Sequence, residues 1–321
     1  MKTKKRILSL LMGLMIAFSV LAIPSLESKA AVSAPSAVYE VSAKGKKITF
    51  CWQPVQGAVR YGVKLKVFGS SAYLTSGYVT SNAATFSAAT PGMKYSVEVT
   101  AVGSDGKESY SYAYKILYAA PAKPKNLYLD SWKPGTGKPE IGWSAYYNAT
   151  GAIYPDGYQV QISTLANKKI GTFNKKGSYP TFSGKSIAKI KNAGFKVKIR
   201  SYVTVKDAKG PGKNLKLYSA WSDVKSYLPQ PVTSGHYYTG SSTATLNWEP
   251  IKNATSYTIY KVTQSGQKYK YTKYQTVDGS VTSVELPRSL GKVAILPTVK
   301  VGAKTFKAKF SERRYFYGVT L

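Results

Sequence analysis

The chain has 321 residues, with 46 Lys and Arg against 14 Asp and Glu, one histidine and one cysteine. That inventory leaves no protein-built zinc site and no internal disulfide, and little material for a nucleophile that leans on a positioned base. The length calls for two or three domains at roughly 100–200 residues each, and a net charge of +32 with 19% charged residues points to polyanionic partners or surfaces.

Lys2, Lys4, Lys5 and Arg6 form a basic start, residues 7–23 are an uncharged apolar run, and Ser28-Lys29-Ala30 supplies the small residues a signal peptidase reads. Residues 1–30 are therefore expected to be a cleaved signal peptide of Gram-positive type. The alternative is a retained anchor, but the run is short against the about 20 residues of a spanning helix. Removing the segment leaves 41 basic and 13 acidic residues, a net charge of +28. No later stretch is apolar for long enough to cross a bilayer, and the terminal Phe316-Tyr317-Gly318-Val319-Thr320-Leu321 carries no sorting or lipidation signal. The expectation is a secreted chain that stays at a cell surface, if it does so, non-covalently.

Three tryptophans then recur in one context: Ile48-Thr49-Phe50-Cys51-Trp52, Ile141-Gly142-Trp143 and Thr245-Leu246-Asn247-Trp248. Each is followed by a turn and an alternating strand with a tyrosine near its start, at Tyr61, Tyr158 and Tyr257. The separation is 9 residues in the first and third copies and 15 in the second, whose extra residues fall around Tyr146–Pro155. A second alternating strand follows in each copy, clear at Tyr95-Ser96-Val97-Glu98-Val99 and Phe195-Lys196-Val197-Lys198-Ile199, weak at Val293-Ala294-Ile295. Period-2 patterning with frequent turn signals predicts antiparallel sheets with one buried face, in copies the size of an immunoglobulin-like sandwich. Ala119-Ala120-Pro121-Ala122-Lys123-Pro124 and Leu228-Pro229-Gln230-Pro231 mark the joints and read as short, stiff spacers.

Ala89-Thr90-Pro91-Gly92-Met93-Lys94-Tyr95-Ser96-Val97-Glu98-Val99-Thr100-Ala101-Val102 resembles the E–F corner of fibronectin type III domains, with Ala89 in the leucine slot. Trp52, Trp143 and Trp248 match that family's strand-B tryptophan, and Tyr61, Tyr158 and Tyr257 its strand-C tyrosine. Tyr218-Ser219-Ala220-Trp221-Ser222 is similar to the start of its strand G. In the second copy Phe195 replaces the corner tyrosine, and in the third the corner is not legible. The resemblance implies an all-β chain of three tandem immunoglobulin-like sandwiches at residues 31–120, 121–229 and 230–321. It further implies that Trp52, Tyr61, Tyr95, Trp143, Tyr158, Phe195, Trp248 and Tyr257 are structural core. Bacterial repeats of this kind commonly accompany secreted, carbohydrate-active or surface proteins, and no catalytic domain is expected within residues 31–321.

Residues able to carry catalysis are scarce. His236 has no second histidine or cysteine nearby and reads as a surface residue; Cys51 should face away from Phe50 and Trp52 as a half-buried small hydrophobe. The acids are scattered singly, so the paired carboxylates of a glycosidase are not evident. Gly135-Thr136-Gly137-Lys138-Pro139 fails as a phosphate loop, because Trp132 and Pro139 stand where glycine and Ser or Thr are required. No calcium loop is present. The reading is a non-enzyme with no cofactor and no metal.

Charge is the remaining signal. Residues 31–120 carry a net +5, residues 121–229 +14 and residues 230–321 +9. Alternation puts Lys196, Lys198, Arg200 and Tyr202 on the outer face of one strand, with Lys185, Lys189 and Lys191 adding to the region. In the third copy Lys268, Lys270 and Lys273 interleave with Tyr269, Tyr271 and Tyr274, and Lys307 and Lys309 stand opposite an inner Phe306 and Phe310. These twelve cations and rings, from Lys196 to Tyr202, Lys268 to Tyr274, and Lys307 with Lys309, are the candidate polyanion-binding residues. Lysine far outnumbers arginine, favouring non-specific attraction over geometric readout. Exposed tyrosines beside lysines can stack on sugars or bases, although the same pattern also serves strand propensity and soluble sheet edges. The leading expectation is a secreted, non-catalytic adhesion protein for an anionic polymer: wall polymer, sulfated glycan or extracellular nucleic acid. A structural spacer or surface-layer component, and a protein-recognition module using strand edges or the loop Tyr146–Pro155, are the alternatives.

Overall fold

The computed structural model describes residues 32–133, 138–144, 149–176, 181–182, 192–266, 268–310 and 319–321. Residues 1–30, expected to be a signal peptide, and Tyr146, Lys185, Lys189 and Lys191 lie outside the described residues.

Strands form where the alternating runs predict them, and the same arrangement occurs three times. In sandwich one, β1 (Val38–Lys44), β2 (Lys47–Trp52) and β5 (Ala83–Phe86) make one sheet in the order β1-β2-β5. The facing sheet runs β4 (Tyr73–Val79), β3 (Ala58–Val67), β6 (Lys94–Gly103), β7 (Ala113–Tyr118). Sandwich two repeats it with β8 (Lys125–Lys133), β9 (Lys138–Ser144) and β12 (Thr181–Phe182) against β11 (Lys169–Lys176), β10 (Gly157–Thr164), β13 (Phe195–Val205) and β14 (Leu215–Tyr218); β15 (Lys225–Tyr227) also pairs β13. Sandwich three sets β16 (Thr233–His236), β17 (Thr243–Trp248) and β20 (Ser283–Pro287) against β19 (Lys268–Asp278), β18 (Ala254–Ser265), β21 (Lys292–Val301) and β22 (Lys304–Lys307), with β23 (Val319–Thr320) on β21. All of these pairings are antiparallel. Among the described residues no helix is long and apolar enough to cross a membrane.

Each core is built on one tryptophan–tyrosine pair. Trp52 meets Tyr61 edge-on at 5.2 Å, Trp143 meets Tyr158 at 5.1 Å, and Trp248 meets Tyr257 at 5.4 Å. All six rings are buried. The hydroxyls of Tyr61 and Tyr257 each accept a hydrogen bond from the backbone N–H six residues earlier, at Val55 and Ile251, so the polar tip of each buried ring is satisfied. Tyr95, also buried, accepts the Thr90 N–H at 2.7 Å and pins the corner, while Phe195 is fully buried without that handle. Cys51 is half-buried on the face away from Phe50 and Trp52, and His236 is exposed.

The joints are buried: Ala119, Ala120, Pro121 and Pro124 lie inside the first, and Leu228, Pro229 and Pro231 inside the second. The reason is packing between neighbours. Ile153, Val203, Val205, Ala208 and Leu217 of sandwich two join the core cluster of sandwich one, and Leu165 and Leu228 of sandwich two join that of sandwich three. The residues inserted in the second copy explain part of this. Gly151 accepts from Lys94 N–H and Ile153 N–H donates to Gly92, each at 2.7 Å, so the described part of the loop is zipped onto the corner of sandwich one. Ile153 of this loop is what the neighbour buries, whereas the apolar residues of the matching loops, Val55 and Ile251, pack into the cores of their own sandwiches.

The third copy's corner is a short 3-10 turn at Arg288–Leu290 ending at Gly291, in place of a Pro-Gly step, which is why it was not legible.

Candidate polyanion-binding surface

The outward face of the β4-β3-β6-β7 type of sheet differs in each sandwich. In sandwich one, Arg60, Lys64 and Lys66 share it with Glu98 and Glu108. Glu98 pairs with Lys66 at 3.3 Å and accepts the Tyr73 hydroxyl at 2.7 Å. Glu108 accepts the Tyr78 hydroxyl at 2.7 Å and the Thr100 hydroxyl at 3.1 Å, bonds that hold its carboxyl below the usual range against a partial desolvation cost. The face sets two carboxylates among three cations.

Sandwich two places basic residues at the matching positions. Three residues after the buried corner ring, Glu98 is replaced by Lys198; five after, Thr100 is replaced by Arg200. Lys196, Lys198, Arg200 and Tyr202 alternate along β13 with the buried Phe195, Val197 and Ile199. Across the sheet they register with Ser163, Gln161, Gln159 and Gly157, and none of these positions is acidic. The cations interleave with rings. Arg200 lies 4.1 Å from the Tyr218 ring and 4.6 Å from Trp221, and its Nε donates to Gln159 Oε1 at 2.8 Å. Lys198 stands 4.9 Å over Trp221 and Lys216 stands 3.8 Å over Tyr202. Each contact pre-orders a long side chain that would otherwise lose rotamer freedom on binding an anion.

Tyr202 occupies the expected face but is 6% exposed, closed over by Lys216 and packed into the room left by Gly157. It is a support for Lys216 rather than a stacking platform. Lys216, Tyr218 and Trp221 join the site without any signal in the strand alternation of β13. Their signal lay in the sheet pairing: Tyr218 registers with Tyr202 and Lys216 with Thr204 across β13 and β14.

Sandwich three separates the residues that the sequence interleaves. On β19, Tyr269 and Tyr271 register with Gln264 and Val262, whereas Lys268 and Lys270 register with Ser265 and Thr263 on the opposite face. A bulge between Ile259 and Tyr260 shifts the register so that Tyr260 pairs with Lys273 and Tyr274 lies beside it, 44% exposed. Phe310 is not on the inner face with Phe306. It lies past the end of β22, stacks on Tyr271 at 3.6 Å and meets Tyr260 edge-on at 5.1 Å, covering the outward side of the sheet. Phe306 does pack against the core cluster.

Lys307 and Lys309 reach sandwich two instead. With Lys225, Tyr128, Ser226 and Phe310 they line a cleft of ≈ 180 Å³ between sandwiches two and three. Lys196 is paired across β13 and β15 with Ser226 of the lining; its Nζ lies 5.8 Å from the Phe306 ring and donates to Asn167 Oδ1 at 2.7 Å. The candidates thus fall into one connected region, β13 with the cleft, and one separate edge strand, β19.

Among the described residues no three His, Cys, Asp or Glu side chains converge as a metal site, and the ion pairs are Lys66 with Glu98 and Lys123 with Asp223.

No protein-family model matches the chain, and no curated protein matches it. Among solved structures, the FN1–FN3 domains of chicken CNTN1 match at 13% identity and TM-score 0.30, over 90% of this chain and 98% of that one. A two-domain fibronectin type III segment of chicken tenascin matches at 13% identity and TM-score 0.31, over 60% of this chain and 98% of that one. Neither likeness bears on function. The strand order and the thrice-repeated tryptophan–tyrosine pair define the class directly: the chain is a tandem array of three fibronectin type III-like β-sandwiches.

Proposed function

We propose that the chain is an exported, non-catalytic binding protein that presents the basic face of sandwich two, continued by Lys307 and Lys309 of sandwich three, to an anionic polymer. The supporting observation is the row of Lys196, Lys198, Arg200 and Lys216, the last three held against Trp221, Tyr218 and Tyr202, with no acid at the positions paired across β10, where sandwich one sets Glu98 and Glu108 among its cations. A face serving only solubility has no need of acid-free cations spaced by rings. Long-range attraction of this kind is salt-dependent. Titrating the chain from Ala31 onward with purified wall polymer, heparin and single-stranded DNA, at low and physiological salt, is expected to show saturable binding that weakens with salt. The double variant Lys196→Gln/Lys198→Gln should bind about tenfold more weakly, a loss of about 1.4 kcal/mol. Affinity unchanged by salt would rule the proposal out.

Protein recognition has one supporting observation of its own. Tyr73, Tyr78, Tyr112 and Tyr114 of sandwich one are each about half exposed, and tyrosine is a frequent anchor at protein interfaces. The second-copy loop does not add to it, since its described residues are engaged by sandwich one.

A further inference from the structure

From the cleft between sandwiches two and three we infer a discrete subsite for one tetrahedral oxyanion, a phosphate or sulfate carried on a polymer chain, held by Lys225, Lys307 and Lys309. The inference rests on the polyanion reading and sharpens it from a diffuse field to a place. Lys307 and Lys309 come from the end of β22 and the residues after it, Lys225 from the start of β15, so three lysines from two sandwiches line one recess. No carboxylate lines it. The closest acid in sequence, Asp223, is bonded to Lys123 at 2.8 Å, a contact that lowers its pKa with a smaller contribution from Lys225, so Lys225 is the one lysine of the three with an acid near it.

Size and chemistry select the ligand. A volume of ≈ 180 Å³ is below the about 300–1,000 Å³ of pockets that enclose a whole small molecule, so the recess accepts a group projecting from a chain. Lysine presents a compact point charge with three rotatable donors, which suits a tetrahedral oxyanion; a planar carboxylate is better matched by the fork of arginine, and no arginine lines the cleft. Tyr128 and Phe310 form apolar walls against which a polyol or sugar backbone can lie. Ser226, paired with Lys196 across β13 and β15, joins the recess to the basic face, so a chain seated there continues along Lys196 and Lys198.

The test compares three proteins of equal fold by circular dichroism: wild type, Lys307→Gln/Lys309→Gln in the cleft, and Lys268→Gln/Lys270→Gln on the separate edge strand, which removes the same charge. Each is titrated with a poly(glycerol phosphate) oligomer and with a heparin oligosaccharide at physiological salt. The expected result is a tenfold or greater loss for the cleft variant and less than threefold for the edge variant. The polymer that shows this difference identifies the source of the oxyanion as phosphate or sulfate. Equal losses in both variants would overturn the subsite and leave the diffuse polyanion reading standing. No binding by wild type to either polymer would overturn both.

Discussion

Glu40 sits where two sandwiches meet, and its carboxyl is fully buried. Oε2 accepts the Tyr118 N–H at 2.9 Å, while Oε1 has no hydrogen-bond partner among the described residues. Its own N–H donates to Ala208 of sandwich two at 2.8 Å. Burial pushes its pKa from 4.5 up to about 8, only partly opposed by the Tyr118 hydrogen bond and by Lys115. Between those two values the unfolded chain releases this proton and the folded chain keeps it, so stability falls as pH rises through that window, by up to about 1.4 kcal/mol per unit, and levels off above it. Below 4.5 both states hold the proton and the stabilisation is complete. Glu40→Gln, isosteric with the protonated carboxyl, should flatten the decline of Tm measured between pH 5 and 8. A variant with the same pH profile as wild type would show that another group controls it. Residue identity at the buried rings follows the same logic of polar satisfaction: Tyr61, Tyr95 and Tyr257 are tolerated inside because each hydroxyl has a backbone partner.

Among the elements, the segment at residues 149–155 changes most between expectation and structure. Its length in the sequence marks it as a loop free to recognise a partner; in the fold it is an added edge to sandwich one. Met93 bridges Ala152, and Ile153 is 3% exposed in the neighbour's core. Gly151 makes the approach possible. It has a φ of 78°, and a Cβ there would lie 2.9 Å from the Phe68 carbonyl oxygen. Gly151→Ala should therefore lift the segment, costing about 1–3 kcal/mol, and should raise the rate of limited proteolysis within it. Unchanged proteolysis and Tm would mean the segment does not depend on that contact. Edge strand β19 shows the opposite case, where Lys268 and Lys270 guard a sheet edge and belong to no cluster of rings.

At the scale of the whole molecule, adjacent sandwiches share core residues across both joints, so the array is a series of packed units and not beads on a flexible thread. Lys252 N–H donates to Asn192 at 2.8 Å, and the Asn192 amide donates to Glu249 at 2.9 Å, adding polar bonds to the second joint. Calorimetry of the chain should therefore show sandwiches one and two unfolding in one transition. Ile153→Ala combined with Ala208→Glu, which empties one shared position and charges another, should split it into two. Two separate transitions in wild type would contradict the coupling. Rigid joints also bear on binding: a polymer spanning the β13 face and the cleft meets a pre-set arrangement and pays less ordering entropy than it would on mobile domains.

By itself the sequence determined the local layers. Alternation placed Phe195, Val197 and Ile199 inward and Lys196, Lys198 and Arg200 outward, and the spaced Trp and Tyr residues announced three copies of one core, because side-chain direction in a strand is a period-2 property that neighbours in sequence settle. Only the tertiary structure decided what those residues meet. Lys216 and Trp221 join Arg200 and Lys198 through strand pairing, Phe310 turns onto Tyr271, Lys225 meets Lys307 across a joint, and Ile153 enters a neighbour's core. Register, bulges and the packing of one sandwich on the next depend on partners tens to more than a hundred residues away, and no local periodicity encodes that distance.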